Sequence, residues 1–360
     1  MIEKSEIRNP KSKSREASSR DGAALIVALW VILLLSILVG GMAFEMKVEA
    51  NVAGYYRKRA KAQYLAQAGV EWTKALLNKK VADTLADGEL VIEAGQDPDL
   101  VQGAYRIQKM GQRFEVERPL GAGTFKLVID PEAAKGFNIN TLAQQAATDP
   151  DTRCVLEEIL DQADISNDMA DELIDCLIDW VDPTEAQQLN GAESDDPFYQ
   201  DRGYEVKNGP LDSVEELLLI KGWTEAVLYG GPDPEDPEVR FKGVYNKFTV
   251  WGDGKLSVND ADELLLLGIC DIDEIVVEDI LRARLGVDGE PGTLDDGIKD
   301  LNEIAGMTPQ VSKWLTVRDT KFLRVTSIGA VDGVRSGIWC ILQVADNKVM
   351  PVYWREESVE

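Results

Sequence analysis

Between Asp179 and Asp201 the chain carries seven acidic residues, Asp179, Asp182, Glu185, Glu193, Asp195, Asp196 and Asp201, and no lysine or arginine. Pro, Asn and Gly residues among them give the stretch the composition of a turning loop. Calcium takes about six to eight oxygen ligands, and a loop that folds carboxylates and carbonyls together suits it; a solvated acidic surface is the other reading open to the same residues. A second run, V-D-G-E-P-G-T-L-D-D-G at 287–297, sets Asp288, Glu290, Asp295 and Asp296 among turn residues and is a second calcium candidate. The stretch W-G-D-G-K-L-S-V-N-D at 251–260 matches only the latter half of an EF-hand loop. Positions one and three would be Thr249 and Trp251, which supply no carboxylate, so it reads as a turn before the N-cap of a helix.

Other chemistry is excluded more firmly. The chain has no histidine, which removes Ser-His-Asp and Cys-His catalysis and His-ligated zinc together. Paired carboxylates such as Asp195 and Asp196 have no nucleophile, base or cofactor motif beside them, so no enzyme is expected. The four cysteines, Cys154, Cys176, Cys270 and Cys340, form no C-x-x-C pair, which argues against a thiolate metal site. Cys154 and Cys176 fall on neighbouring predicted helices and are either a disulfide, in an oxidising compartment, or two buried thiols. The net charge of −26 repels phosphate, so nucleic acid is not an expected partner; divalent cations or a basic protein face are.

These residues are positioned by a chain tethered at one end. Gly22 to Phe44 is an uncharged apolar run whose length, at about 1.5 Å per residue, crosses a hydrocarbon core of about 30 Å. Residues 1–22 hold six basic and four acidic side chains, a net of +2 that leaves −28 for the remainder and favours a cytoplasmic N-terminus. Residues 1–21 read as an unstructured leader. Beyond the span, Tyr64, Ala68, Trp72 and Leu76 recur every four residues without proline, which predicts one helix over 23–80, part in lipid and part packed on a soluble domain.

Alternating runs at 89–93, 104–109, 113–118 and 124–130 predict antiparallel strands, and those at 321–331, 338–344 and 349–354 predict strands that return to the same sheet. Between them the texture is helical. Asn140 or Thr141 is the expected first N-cap, and helices are expected at 152–163, 167–180, 212–221, 224–229, 258–267, 273–285, 298–305 and 309–316, several as helix-Gly-helix hairpins. The fold class is therefore α+β: a long N-terminal helix packed on an antiparallel sheet, with a large inserted all-α domain of helical hairpins. Its segments are 1–22 (leader), 23–80 (helix), 81–136 (β part), 137–320 (insertion) and 321–360 (returning strands).

Four stretches carry a resemblance: G-A-A-L-I-V-A-L-W-V-I-L-L-L from Gly22, Y-L-A-Q-A-G-V-E from Tyr64, L-I-D-W-V-D-P followed by L-N-G-A-E-S-D-D-P-F-Y at 177–199, and K-N-G-P-L-D-S-V-E-E-L-L-L-I-K-G at 207–222. Together they resemble minor pseudopilin K of type II secretion systems, the general secretion pathway protein K family. The resemblance implies cleavage of the leader between Gly22 and Ala23 by a prepilin peptidase, methylation of Ala23, and a pilin-type rod and sheet. It implies a single-pass protein of the bacterial inner membrane with its bulk in the periplasm. It also implies a place at the pseudopilus tip with the other minor pseudopilins I, J and H and the inner-membrane secretion platform. It further implies structural Ca²⁺ in the insertion, with Asp179, Asp182, Glu193, Asp195 and Asp196 as the ligand candidates and carbonyls near Leu189 and Asn190 beside them. Val27 stands at the fifth mature position, where most pilins place a glutamate. A minor pilin of a type IV pilus is the alternative.

Overall fold

The computed structural model describes residues 14–77, 97–234, 236–291, 296–317, 321–345 and 348–357. The expected strand at 89–93 lies outside them. The chain divides into two compact units, Met1–Ala60 and Lys61–Glu360. In the first, helix α1 (Ser14–Leu76) begins within the stretch expected to be unstructured, and Leu25 to Met46 present their apolar side chains outward. This helix is long and apolar enough to cross a membrane.

In the second unit, α1 ends on a five-stranded antiparallel sheet in the order β1 (Phe114–Leu120), β2 (Gly123–Pro131), β3 (Phe322–Val331), β4 (Val334–Ala345) and β5 (Lys348–Glu357). Strand β3 buries every second residue, the signature of a sheet with one face on a core. Ala62, Leu65, Ala66 and Val70 of α1 lie on that face with Phe125, Leu127, Val325, Ile338 and Cys340. The approach is close because small residues meet: a Cβ on Gly69 would fall 2.2 Å from Ser327 Oγ, and one on Gly329 would fall 1.9 Å from the Ala62 carbonyl oxygen. A side chain at either position would push helix and sheet apart.

Strands β2 and β3 pair directly, Thr124 opposite Ala330 and Pro131 opposite Leu323. The chain between them, Glu132 to Lys321, builds a second core from short helices: α3 (Ile139–Ala146), α4 (Pro150–Gln162), α5 (Asn167–Val181) and the shorter turns that follow. Phe137, Leu142, Leu156, Ile159, Leu173, Leu177 and Tyr199 are fully buried there. A buried tie joins the two cores. Glu132 accepts hydrogen bonds from Arg324 Nε (3.0 Å) and Nη2 (2.7 Å) and from Thr249 Oγ1 (2.6 Å).

Several local expectations are corrected. The run 104–109 is helical, helix α2 (Pro98–Ala104) continuing into a π-helical turn Tyr105–Met110, because Val101, Ala104 and Tyr105 also fall on one helical face and bury together. The N-cap at the start of α3 is Asn138, whose side chain accepts from the N–H groups of Asn140 and Thr141. Residues 214–219 and 301–303 form 3₁₀ turns; the expected helix 258–267 starts at Glu263 on the cap Asp262, and 309–316 is helical only over Pro309–Ser312. The disulfide joins Cys154 to Cys270, while Cys176 stays a buried thiol.

Candidate metal site

Helix α5 is amphipathic, and its last turn delivers Asp179 inward while Asp182 ends it. Asp179 is fully buried and accepts the Gln188 N–H at 3.0 Å; one turn earlier, Asp175 accepts the backbone and side-chain N–H groups of Asn190 at 3.0 and 3.1 Å. Two carboxylates a helical turn apart therefore pin the outgoing loop to the helix. Cys176 Sγ lies between them in sequence and reaches the Asn190 carbonyl oxygen at 3.6 Å. The loop can lie this close because residue 191 is glycine: a Cβ there would sit 1.8 Å from Asp179 Oδ2.

Glu193 is the unusual member. It is 4% exposed, and both of its carboxylate oxygens are buried without a hydrogen-bond partner. Burial pushes its carboxyl up to about 7, and the charges of Asp179, Glu185, Asp182 and Asp195 push the same way. Burial likewise lifts Asp179 to about 6, against the N–H groups of Gln188 and Ala192 and together with the charges of Asp182 and Asp175. An orphaned buried carboxylate costs several kcal/mol unless a cation or a proton meets it. The residues present thus fit a cation: Glu193 lacks a partner, and its neighbours are acids. Among the described residues, however, no three such side chains converge on one point as they stand.

The other candidates are placed differently. Asp182 accepts from the Thr184 N–H and hydroxyl at 2.7 and 2.8 Å, folding the loop back at the helix end. Asp196 caps helix α6 (Pro197–Arg202) through the Phe198 N–H and pairs with Lys221 at 2.9 Å. Against the penalty of burial, Lys221 and that N–H hold its carboxyl below the ordinary carboxylate range. It is thus already satisfied. In the second run, Asp288 accepts the Glu290 N–H at 2.9 Å within an exposed turn, and Asp295 lies outside the described residues. Glu185, not among the expected ligands, is close enough to raise the Glu193 carboxyl and also accepts from Asn208 at 3.2 Å. Sequence spacing offered no signal for it beyond membership of the acidic run.

Comparison with known proteins bears on this same region. The family model for "Type II secretion system (T2SS), protein K" matches residues 135–229, which contain α3 to α6 and the whole acidic loop. Type II secretion system protein K of Pseudomonas aeruginosa is 24% identical over 327 residues, covering 86% of this chain and 85% of that protein. The chain is thus similar to type II secretion system K proteins over most of its length. The protein of the same name from Klebsiella pneumoniae is 28% identical over 212 residues, 58% of this chain, and the match spans 59% of that relative's length. Among solved structures, the GspK-GspI-GspJ complex from the enterotoxigenic Escherichia coli type 2 secretion system contains a chain with the same fold. The TM-score is 0.51 at 16% identity, over 88% of this chain and all of the other. The chain shares that α+β fold and, among the described residues, has one N-terminal helix long and apolar enough to cross a membrane.

Proposed function

We propose that this K-type pseudopilin sits at the tip of the pseudopilus, where it helps start filament assembly with the other minor pseudopilins. The observation that carries the reading is the insertion: a complete second hydrophobic core, built from the chain between β2 and β3, stands beside a helix-on-sheet unit of pilin type. A subunit inside a packed helical fibre needs neighbours above and below its sheet, and a second core of this size is accommodated most easily at an end. The absence of a carboxylate at Val27 supports the same place, because an ion pair inside the membrane with a neighbour's terminal amine is then not available from this side chain. The solved GspK-GspI-GspJ complex supports partnership with two other minor pseudopilins.

The apolar span supports an inner-membrane location, and the same reading includes processing after Gly22 by the prepilin peptidase and methylation of Ala23. The Cys154–Cys270 disulfide supports a periplasmic bulk, since such bonds persist in oxidising compartments. Calcium would be held by Glu193 with Asp179, Asp182 and Glu185 around it, and its role would be structural: neutralising buried carboxylates and fixing the loop against α5. Co-purification of the full chain with the cognate I- and J-type pseudopilins from detergent-solubilised membranes tests the tip reading. A stable ternary complex is expected; a K-type chain that assembles only with the major pseudopilin would overturn it.

A further inference from the structure

The two sulfurs of the Cys154–Cys270 disulfide differ in access. Cys154, on α4, is half-buried and forms part of the wall of a surface pocket of about 350 Å³. Cys270, in the turn 268–271, is 8% exposed and is not part of that wall. A nucleophile entering the pocket therefore meets Cys154 and not Cys270. The pocket takes its composition from helical spacing: Cys154, Glu157, Glu158 and Asp161 recur at three- and four-residue steps along one face of α4, while Ala170 and Asp171 of α5 close the other side.

The charge of the pocket stays unbalanced with its ion pairs included. Arg153 meets Glu157 at 3.0 Å and Asp171 at 2.6 Å, but the same guanidinium also pairs with the buried Asp175 at 2.8 Å. One cation is thus shared among three carboxylates. Glu158 and Asp161 are exposed and have no ion pair among the described residues, and no lysine or arginine lines the pocket. The N-terminus of α5 offers about half a positive charge, which Asp168 in its first turn offsets. Thiol–disulfide exchange is carried by thiolates, so a wall of this sign slows an anionic thiol and speeds one that brings its own cation.

We propose that this pocket is where a dithiol protein, with a basic surface around its reactive cysteine, opens and re-forms the bridge. The partner's thiolate sulfur bonds to Cys154 Sγ, the Cys154–Cys270 bond breaks with its electron pair on Cys270 Sγ, and the thiolate so released takes a proton from water. A second thiolate of the partner then attacks the mixed disulfide, releasing Cys154, which is protonated in turn, and closing the partner's own disulfide. The bridge gains two electrons and two protons, and the dithiol loses them. Closure runs the same steps backward. Because the bridge ties α4 to a turn 116 residues on, opening it removes a covalent link across the insertion. The assignment depends neither on calcium nor on the chain's place in a filament.

The test uses the full chain in neutral detergent micelles and the dithiol peptide acetyl-Lys-Cys-Gly-Lys-Cys-Lys-amide, beside its counterpart with glutamate for lysine. Each rate of reduction is expressed per thiolate and divided by the rate on bis(2-hydroxyethyl) disulfide, which is uncharged. At low salt the lysine peptide is expected to be favoured about tenfold or more, and the preference should fade at about 1 M salt, where charge reaches only about 3 Å. Glu158→Gln/Asp161→Asn, two exposed changes, should lower the preference severalfold and keep the melting temperature. In the reverse direction, cystamine should cap the Cys154 thiol of Cys270→Ser at least tenfold faster than the Cys270 thiol of Cys154→Ser. That comparison is read only on chains that keep their melting transition; the peptide rates on the parent decide without it. Equal normalised rates for the two peptides, a preference unchanged in Glu158→Gln/Asp161→Asn, or capping of Cys270 as fast as Cys154 would each overturn the proposal.

Discussion

Glu193 illustrates how one side chain can record a missing partner. Its carboxyl is raised above the ordinary value to about 7, with burial as the first cause. A carboxyl raised by folding prefers its proton in the native state. Its contribution to stability is therefore complete below the unfolded value near 4.5 and is lost as pH rises through about 7. With calcium chelated, the melting temperature should fall between pH 5 and pH 8; with calcium present the fall should shrink or reverse, because the ionised form is the ligand. Glu193→Gln removes the charge and keeps the shape. At pH 8 in chelator the variant should melt higher than the parent, by about 2–4 °C for each kcal/mol recovered, and its gain from added calcium should be smaller. A variant that melts lower than the parent under chelation at pH 8 would show that the ionised carboxylate has a protein partner after all.

At the scale of elements, the cysteines show where sequence stops being sufficient. Cys154 and Cys176 were candidates because the helices holding them are neighbours in the chain, and α4 and α5 do pack together. Yet Cys176 lies on the face of α5 turned to the acidic loop, while Cys154 meets Cys270, 116 residues away. Periodicity reveals which residues are buried but not which distant element covers them, so the partner followed from tertiary packing alone. The same limit explains 104–109, where a short apolar alternation fits a strand and a helix equally until Val101 and Ala104 are seen to share its face. The span, the amphipathic lower half of α1, the sheet strands from 113 onward and helices α4 and α5 were legible, being long and strongly periodic. The acidic loop was legible as composition, whereas the pinning by Asp175 and the isolation of Glu193 were not. Since Cys154–Cys270 closes a large part of the insertion, its removal should be costly. The double variant Cys154→Ser/Cys270→Ser should lose about 2–5 kcal/mol in denaturant unfolding. Reductant should lower the midpoint of the parent and leave that of the double variant unchanged; an unchanged double variant would mean the bridge adds nothing to the core.

For the whole molecule, burial divides the chain by task. No side chain between residues 24 and 61 is buried, and the first one of the rod to be so is Ala62, at the point where α1 meets Gly329. The apolar segment upstream thus takes no part in either core, and its outward Leu, Ile and Val side chains are complementary to lipid or to other helices. Everything that holds the two cores together, the Glu132–Arg324–Thr249 tie included, lies from Lys61 onward. A fragment comprising residues 61–360 should therefore be soluble without detergent and monomeric, with the melting temperature and calcium response of the full chain in micelles. Loss of the ordered sheet in that fragment, read by exchange over β3 and β4, would show that the upstream helix stabilises the fold as well as anchoring it. The large negative charge of the fragment should keep it dispersed at low salt and make its encounter with a basic partner slow as salt is raised, because screening at about 0.15 M already shortens the reach of surface charge to about 8 Å.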